Sequence, residues 1–122
     1  MGKIIPTSFL ICLSFNLLSQ PQIKFADTKQ SFGFVKKGEQ VKLLYNFTNT
    51  GNQPLIISDV KTECSCTKVN FPKEPIQDGK TGTIEVLFDT SPTYDRQDRI
   101  VEILSNDKKS PTKIRFKGVV LK

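Results

Sequence analysis

Histidine and tryptophan are absent from this chain, and its one methionine is the initiator. Without histidine no imidazole can activate a serine or cysteine nucleophile, and no G-x-S-x-G turn is present. Zinc loses its usual nitrogen ligand, and Cu(I) loses both imidazole and thioether partners. The expectation is a protein that is not an enzyme and that holds no cofactor. Long apolar runs are also scarce. The one run, Ser8–Leu18, is too short to span a bilayer, which takes roughly 20 apolar residues, and Lys3 is the only charge in the first twenty residues. This charge-then-apolar order is that of a secretory signal peptide. Leu17 and Ser19 form a tolerable −3/−1 pair, so residues 1–20 are read as a leader cut after Ser19 or Gln20. The expected location is extracytoplasmic (periplasm, cell envelope or secreted), with no stable membrane span once the leader is removed.

Cysteine is sparse as well. Cys12 falls inside the apolar run and follows Phe9-Leu10-Ile11, without the small residue that lipoprotein processing needs, so it is expected to leave with the leader. That leaves Cys64 and Cys66, separated by Ser65. In an extended strand residues i and i+2 face the same way, so both sulfurs can meet one metal or a partner's thiol. A direct disulfide needs Cβ atoms about 3.5–4.5 Å apart, closer than a flat strand brings them, and therefore needs a turn or bulge. Three fates stay open: two small residues at a strand end, a local or intermolecular disulfide, and a metal site completed by carboxylates or a second chain.

What is abundant is alternation. Val41, Leu43, Tyr45 and Phe47 fall on one face, with Lys42, Leu44, Asn46 and Thr48 on the other. Ile84, Val86 and Phe88 repeat the pattern, and Ile23/Phe25, Phe32/Phe34, Pro54–Val60, Thr67–Phe71, Ile100–Leu104 and Lys113–Leu121 add shorter strand signals. Asn49-Thr50-Gly51-Asn52, Pro72–Lys80, Thr90–Asp98 and Ser105–Pro111 read as turns and loops. Strands of this length with turn signals every 8–12 residues predict one all-β immunoglobulin-like sandwich of about seven strands over residues 22–122.

Several pieces are familiar in this order: Phe32-Gly33-Phe34-Val35-Lys36-Lys37-Gly38, Phe47-Thr48-Asn49-Thr50-Gly51-Asn52-Gln53-Pro54-Leu55, Cys64-Ser65-Cys66-Thr67, Gly79–Val86, and Ser105-Asn106 with Gly118-Val119-Val120. Together they resemble the secreted bacterial family known as domain of unknown function 1573. That family is similar in architecture to the Ig-like domains of major sperm protein, pilus chaperones and cilium-associated proteins. The resemblance implies an envelope protein of Bacteroidota-like bacteria with no assigned activity. One position departs from it, since Ser65 stands where the family has glycine between the cysteines.

Other constellations carry less. Gly79-Lys80-Thr81 has Glu74 where a phosphate-binding loop needs glycine, and a strand follows instead of a helix. Asp89, Asp95 and Asp98 are read as solvated loop carboxylates neutralised by Arg96 and Arg99. Lys113, Arg115 and Lys117 alternate with Ile114 and Phe116, giving a cationic stripe that either faces an anionic partner or guards a sheet edge. Phe116 points away from the stripe, so nucleic acid is not expected. The reading is a non-catalytic exported cell-envelope interaction or structural module whose partner is another envelope protein. The alternative is an extracytoplasmic thiol- or metal-handling protein using Cys64 and Cys66.

Overall fold

The computed structural model describes residues 19–122. Apart from Ser19 and Gln20, the expected leader with Cys12 lies outside the described residues. Eight strands follow in order: β1 Ile23–Phe25, β2 Lys29–Lys36, β3 Gln40–Asn49, β4 Ile57–Thr62, β5 Thr67–Asn70, β6 Thr81–Asp89, β7 Asp95–Ser105 and β8 Thr112–Leu121. They form two four-stranded sheets, ordered β1-β3-β6-β5 and β2-β8-β7-β4. The alternating side chains decide how these sheets meet. Tyr45, Phe47, Ile84, Val86 and Phe88 from one sheet, and Val101, Ile103, Ile114 and Phe116 from the other, are sealed between them. Phe88 and Phe116 meet across the middle at 5.2 Å between ring centres, and Phe32 packs on both.

The chain crosses between the two sheets five times, and two of these crossings shape the edges of the sandwich. After pairing antiparallel to β3 as β1, it crosses at Asp27 and Thr28 and continues as β2, parallel to β8. Between β4 and β5 it crosses back, from the edge of the second sheet to the edge of the first. Cys64 and Cys66 sit in that crossing.

Two expectations are corrected. Thr90–Asp98 was expected to be a loop, but β7 begins at Asp95 and pairs along β8 from Val120 onwards. Its polar composition hides the strand because the inward residues at this end are Gln97 and Arg99 instead of apolar ones. Gln97 is buried, donates to the Tyr94 carbonyl at 2.9 Å and accepts from Arg99 at 2.8 Å, so its amide is satisfied locally. Phe32 and Phe34 were expected on one face, but a bulge inserts an extra residue between Ser31 and Gly33. Gly33 takes a φ of 73°, which a side chain would resist. Phe32 therefore turns inward, and Phe34 turns out. Gly118 makes the inward turn possible, since a Cβ there would lie 2.3 Å from the Phe32 ring.

Candidate functional sites

Cys64 and Cys66 are joined by a disulfide, with Cα atoms 5.1 Å apart. They lie in a turn and not along an extended strand, which brings the sulfurs together where a flat strand would hold them apart. The turn is tied down without help from the sulfurs. The Thr67 amide donates to the Cys64 carbonyl at 3.1 Å, and the Asp89 amide donates to the Cys66 carbonyl at 2.8 Å. Thr62 Oγ1 also donates to the Cys64 carbonyl, at 3.2 Å. The two sulfurs differ in surroundings: Cys66 belongs to the core, whereas Cys64 is half-buried between exposed Glu63 and Ser65. The Cys66 amide points at Cys64 Sγ, 3.1 Å away. Among the described residues no three His, Cys, Asp or Glu side chains converge as metal ligands.

Lys113, Arg115 and Lys117 do share the outward face of β8, with Ile114 and Phe116 buried behind them. β8 is an interior strand, however, so the stripe guards no edge. Its residues also face acidic ones on β7, and of the three it is Arg115 that makes an ion pair. Lys113 stands opposite Glu102 and Lys117 opposite Asp98. Arg115 grips Asp98 with Nε at 2.7 Å and Nη2 at 3.2 Å. Asp98 is thus a strand residue paired with Arg115, not a loop carboxylate neutralised by Arg96 or Arg99. Asp89 instead accepts from the Ser91 amide, which holds its carboxyl below the usual range. The Asn70 amide, helped by Lys42, does the same for Glu85. Burial pushes the Tyr45 phenol well above its ordinary value, and its hydroxyl donates to the Arg115 carbonyl at 2.7 Å.

The feature that period counting missed lies beside the stripe. Phe34 is 73% exposed on β2. It borders a shallow cleft of about 310 Å³ shared with Ser31, Arg96, Asp98, Lys117 and Val119. Leu121 is also exposed and continues the outward face of β8 beyond Val119. The only sequence signal was the glycine inside Phe32-Gly33-Phe34, a common mark of a bulge.

Two four-stranded antiparallel-rich sheets packed face to face make the protein an immunoglobulin-like β-sandwich. The chain belongs to the family described as protein of unknown function (DUF1573), whose model matches residues 23–120. A protein of unknown function from Porphyromonas gingivalis W83 superposes with a TM-score of 0.73 at 19% identity, over 84% of this chain and 49% of that one. This chain therefore spans about half the length of that relative. The PapD-like domain 7 of human CEP192, an ASH domain, matches over 98% of this chain and 99% of that one, with a TM-score of 0.70 at 7% identity. The VesB protease of Vibrio cholerae matches over 84% of this chain but only 32% of its own, with a TM-score of 0.60 at 13% identity. At such identities the likeness is one of fold. No curated protein matches the sequence.

Proposed function

We propose that the chain is an exported, non-catalytic module of the bacterial cell envelope that docks another envelope protein on the outer face of the β2-β8-β7-β4 sheet. The observation that carries this reading is Phe34. Burying a phenylalanine is worth roughly 1.5–3 kcal/mol, and this one is left in water while Phe32, two residues earlier, is packed inside. An exposed aromatic anchor with polar and charged groups around it is the arrangement of an interface hot spot. Arg96 and Lys117 give the rim a basic balance that Asp98 offsets only in part, and the chain carries a net charge of +6. These charges favour an extended segment with an apolar residue flanked by carboxylates.

Docking by side chains is favoured over strand addition because the longer free edges are guarded. On β2 the Gly33 amide is taken by Ser31 Oγ and the Lys36 amide by Glu39 Oε2. On β4 the Val60 amide is taken by Asp59 Oδ1, and Asp59 and Lys61 put charge on that strand. Export is supported by Lys3 and the apolar run Ser8–Leu18.

Crosslinking and co-purification from the native envelope test the reading. Phe34→Glu is expected to lose the captured protein, while Lys68→Glu on the opposite sheet keeps it. Both variants should melt near the parent, since surface changes usually fall within about 0.5 kcal/mol. Equal capture by the parent and Phe34→Glu refutes the docking face.

A further inference from the structure

We propose that the Cys64–Cys66 disulfide is a thiol–disulfide exchange site in which Cys64 is the sulfur that forms the mixed disulfide with a partner dithiol. The bond is poorly placed to be a staple. It joins residues two apart, and the entropy removed from the unfolded chain shrinks with the logarithm of the loop closed. The crossing it occupies is already held by the Thr67 and Asp89 amides and the Thr62 hydroxyl, so reduction leaves the backbone path in place.

The asymmetry of the pair assigns the roles. Exchange proceeds by in-line attack of a thiolate on an accessible sulfur, and of the two residues Cys64 is the partly exposed one, packed on the rim of the core, whereas Cys66 is buried in it. The Cys66 amide donates toward Cys64 Sγ at 3.1 Å, and a hydrogen bond to sulfur favours its thiolate form. The more exposed residue of the pair is thus also the one whose sulfur lies in reach of a backbone amide.

In the oxidising direction a partner thiolate attacks Cys64 Sγ, and a new S–S bond forms as the Cys64–Cys66 bond breaks. The electron pair leaves on Cys66 Sγ, which takes a proton. The partner's second thiolate then attacks the partner-side sulfur of the mixed disulfide, and Cys64 departs as a thiolate that takes the second proton. The partner has lost two electrons and two protons, and the cysteine pair has gained them. The reverse sequence begins with the Cys64 thiolate attacking a partner disulfide and ends with Cys66 resolving the intermediate.

Glutathione serves as the probe, two molecules standing in for one dithiol. The folded protein equilibrated in reduced glutathione should convert to the dithiol, as counted by mass after alkylation, and melt within a few degrees of the oxidised form. With oxidised glutathione, Cys66→Ser should accumulate one adduct on Cys64. Cys64→Ser should react at least about tenfold more slowly, as buried thiols do. The reduced parent should release two glutathione molecules and keep no adduct, because Cys66 resolves it. A pair that stays oxidised in excess dithiothreitol until the protein unfolds overturns the proposal, as does equal labelling of both single variants. So does a reduced parent that keeps its adduct. None of these outcomes bears on capture through Phe34, which reads a different face.

Discussion

Asn49 is fully buried, yet every hydrogen-bonding direction of its amide is used. Its Oδ1 accepts from the Gln22 amide at 3.2 Å and the Gly51 amide at 2.9 Å. Its Nδ2 donates to the Gln53 carbonyl at 2.7 Å and the Ile76 carbonyl at 2.9 Å. One side chain thus binds the entry to β1, the turn after β3 and the loop before β6. Asn49→Ala strands three backbone groups, the Gln22 and Gly51 amides and the Gln53 carbonyl, since the Ile76 carbonyl keeps the Leu55 amide at 2.8 Å; each costs about 1–3 kcal/mol if no water replaces the side chain. Partial hydration lowers that total, and the expected loss is about 2–4 kcal/mol, or a melting temperature at least about 10 °C lower. A thermal melt followed by circular dichroism checks this, and a shift under about 3 °C would show that the knot is dispensable. Asn106 works in the same way: its Oδ1 accepts from the Ile56 amide at 2.8 Å, and its Nδ2 donates to the Pro54 carbonyl at 3.1 Å. The Asn-x-Gly and Ser-Asn pieces of the resemblance are therefore wiring for the fold, and they say nothing about a ligand.

At the scale of the strands, β3 is the element most open to reading from sequence. Its strict alternation allows one way to bury Val41, Leu43, Tyr45 and Phe47, and all four are buried. β6 behaves alike. β2 and the start of β7 resist such reading for physical reasons. A bulge resets the period inside β2, and local hydrogen bonding lets Gln97 and Arg99 take inward positions that hydrophobicity would deny them. The disulfide was equally hidden, because whether Cys64 and Cys66 can bond depends on a sheet crossing that no local pattern announces. Tyr45 shows what alternation does reveal only in part: it identifies the inward face but not the tie to the other sheet through the Arg115 carbonyl. That tie makes a pH prediction. The folded phenol titrates above the unfolded one, near 10. The stability it contributes is then complete below pH 10 and is lost as pH rises beyond it toward the folded value. Melting temperatures taken from pH 8 to 11 should fall at the alkaline end, and Tyr45→Phe should flatten part of that fall. At neutral pH Tyr45→Phe should cost about 1 kcal/mol for the lost bond. An unchanged alkaline slope in Tyr45→Phe would show that the phenol does not set it.

For the whole molecule the proposed export sets where the mature chain would begin, and the packing of the first described residues gives a specific expectation. The domain was read as starting at residue 22, yet Pro21 is buried. Gln20 is bonded to the turn after β3 through its amide, 2.9 Å from Asn52 Oδ1, and its carbonyl, which accepts from the Asn52 amide at 3.1 Å. Gly51 is what lets this segment lie so close, since a Cβ there would fall 2.7 Å from the Gln22 nitrogen and closer still to the Gln20 carbonyl. Gln22 adds its own amide bond to Asn49 Oδ1 and accepts from the Thr50 amide at 2.8 Å. Cutting after Ser19 preserves all of these contacts, whereas cutting after Gln20 removes the residue that holds Asn52. Of the two positions open to the proposed leader, the first is therefore expected, and the intact mass of the protein recovered from its host should correspond to a start at Gln20. Recombinant chains beginning at Gln20 and at Ile23 separate packing from processing. The shorter chain loses the buried proline ring and the bonds of Gln20 and Gln22, and it frees part of the Asn49 amide. Together these are worth about 2–3 kcal/mol, so it should melt about 10 °C or more below the longer one. Equal melting of the two chains would mean that residues 20–22 rest on the sandwich without holding it, and the packing argument for cleavage after Ser19 would then fail.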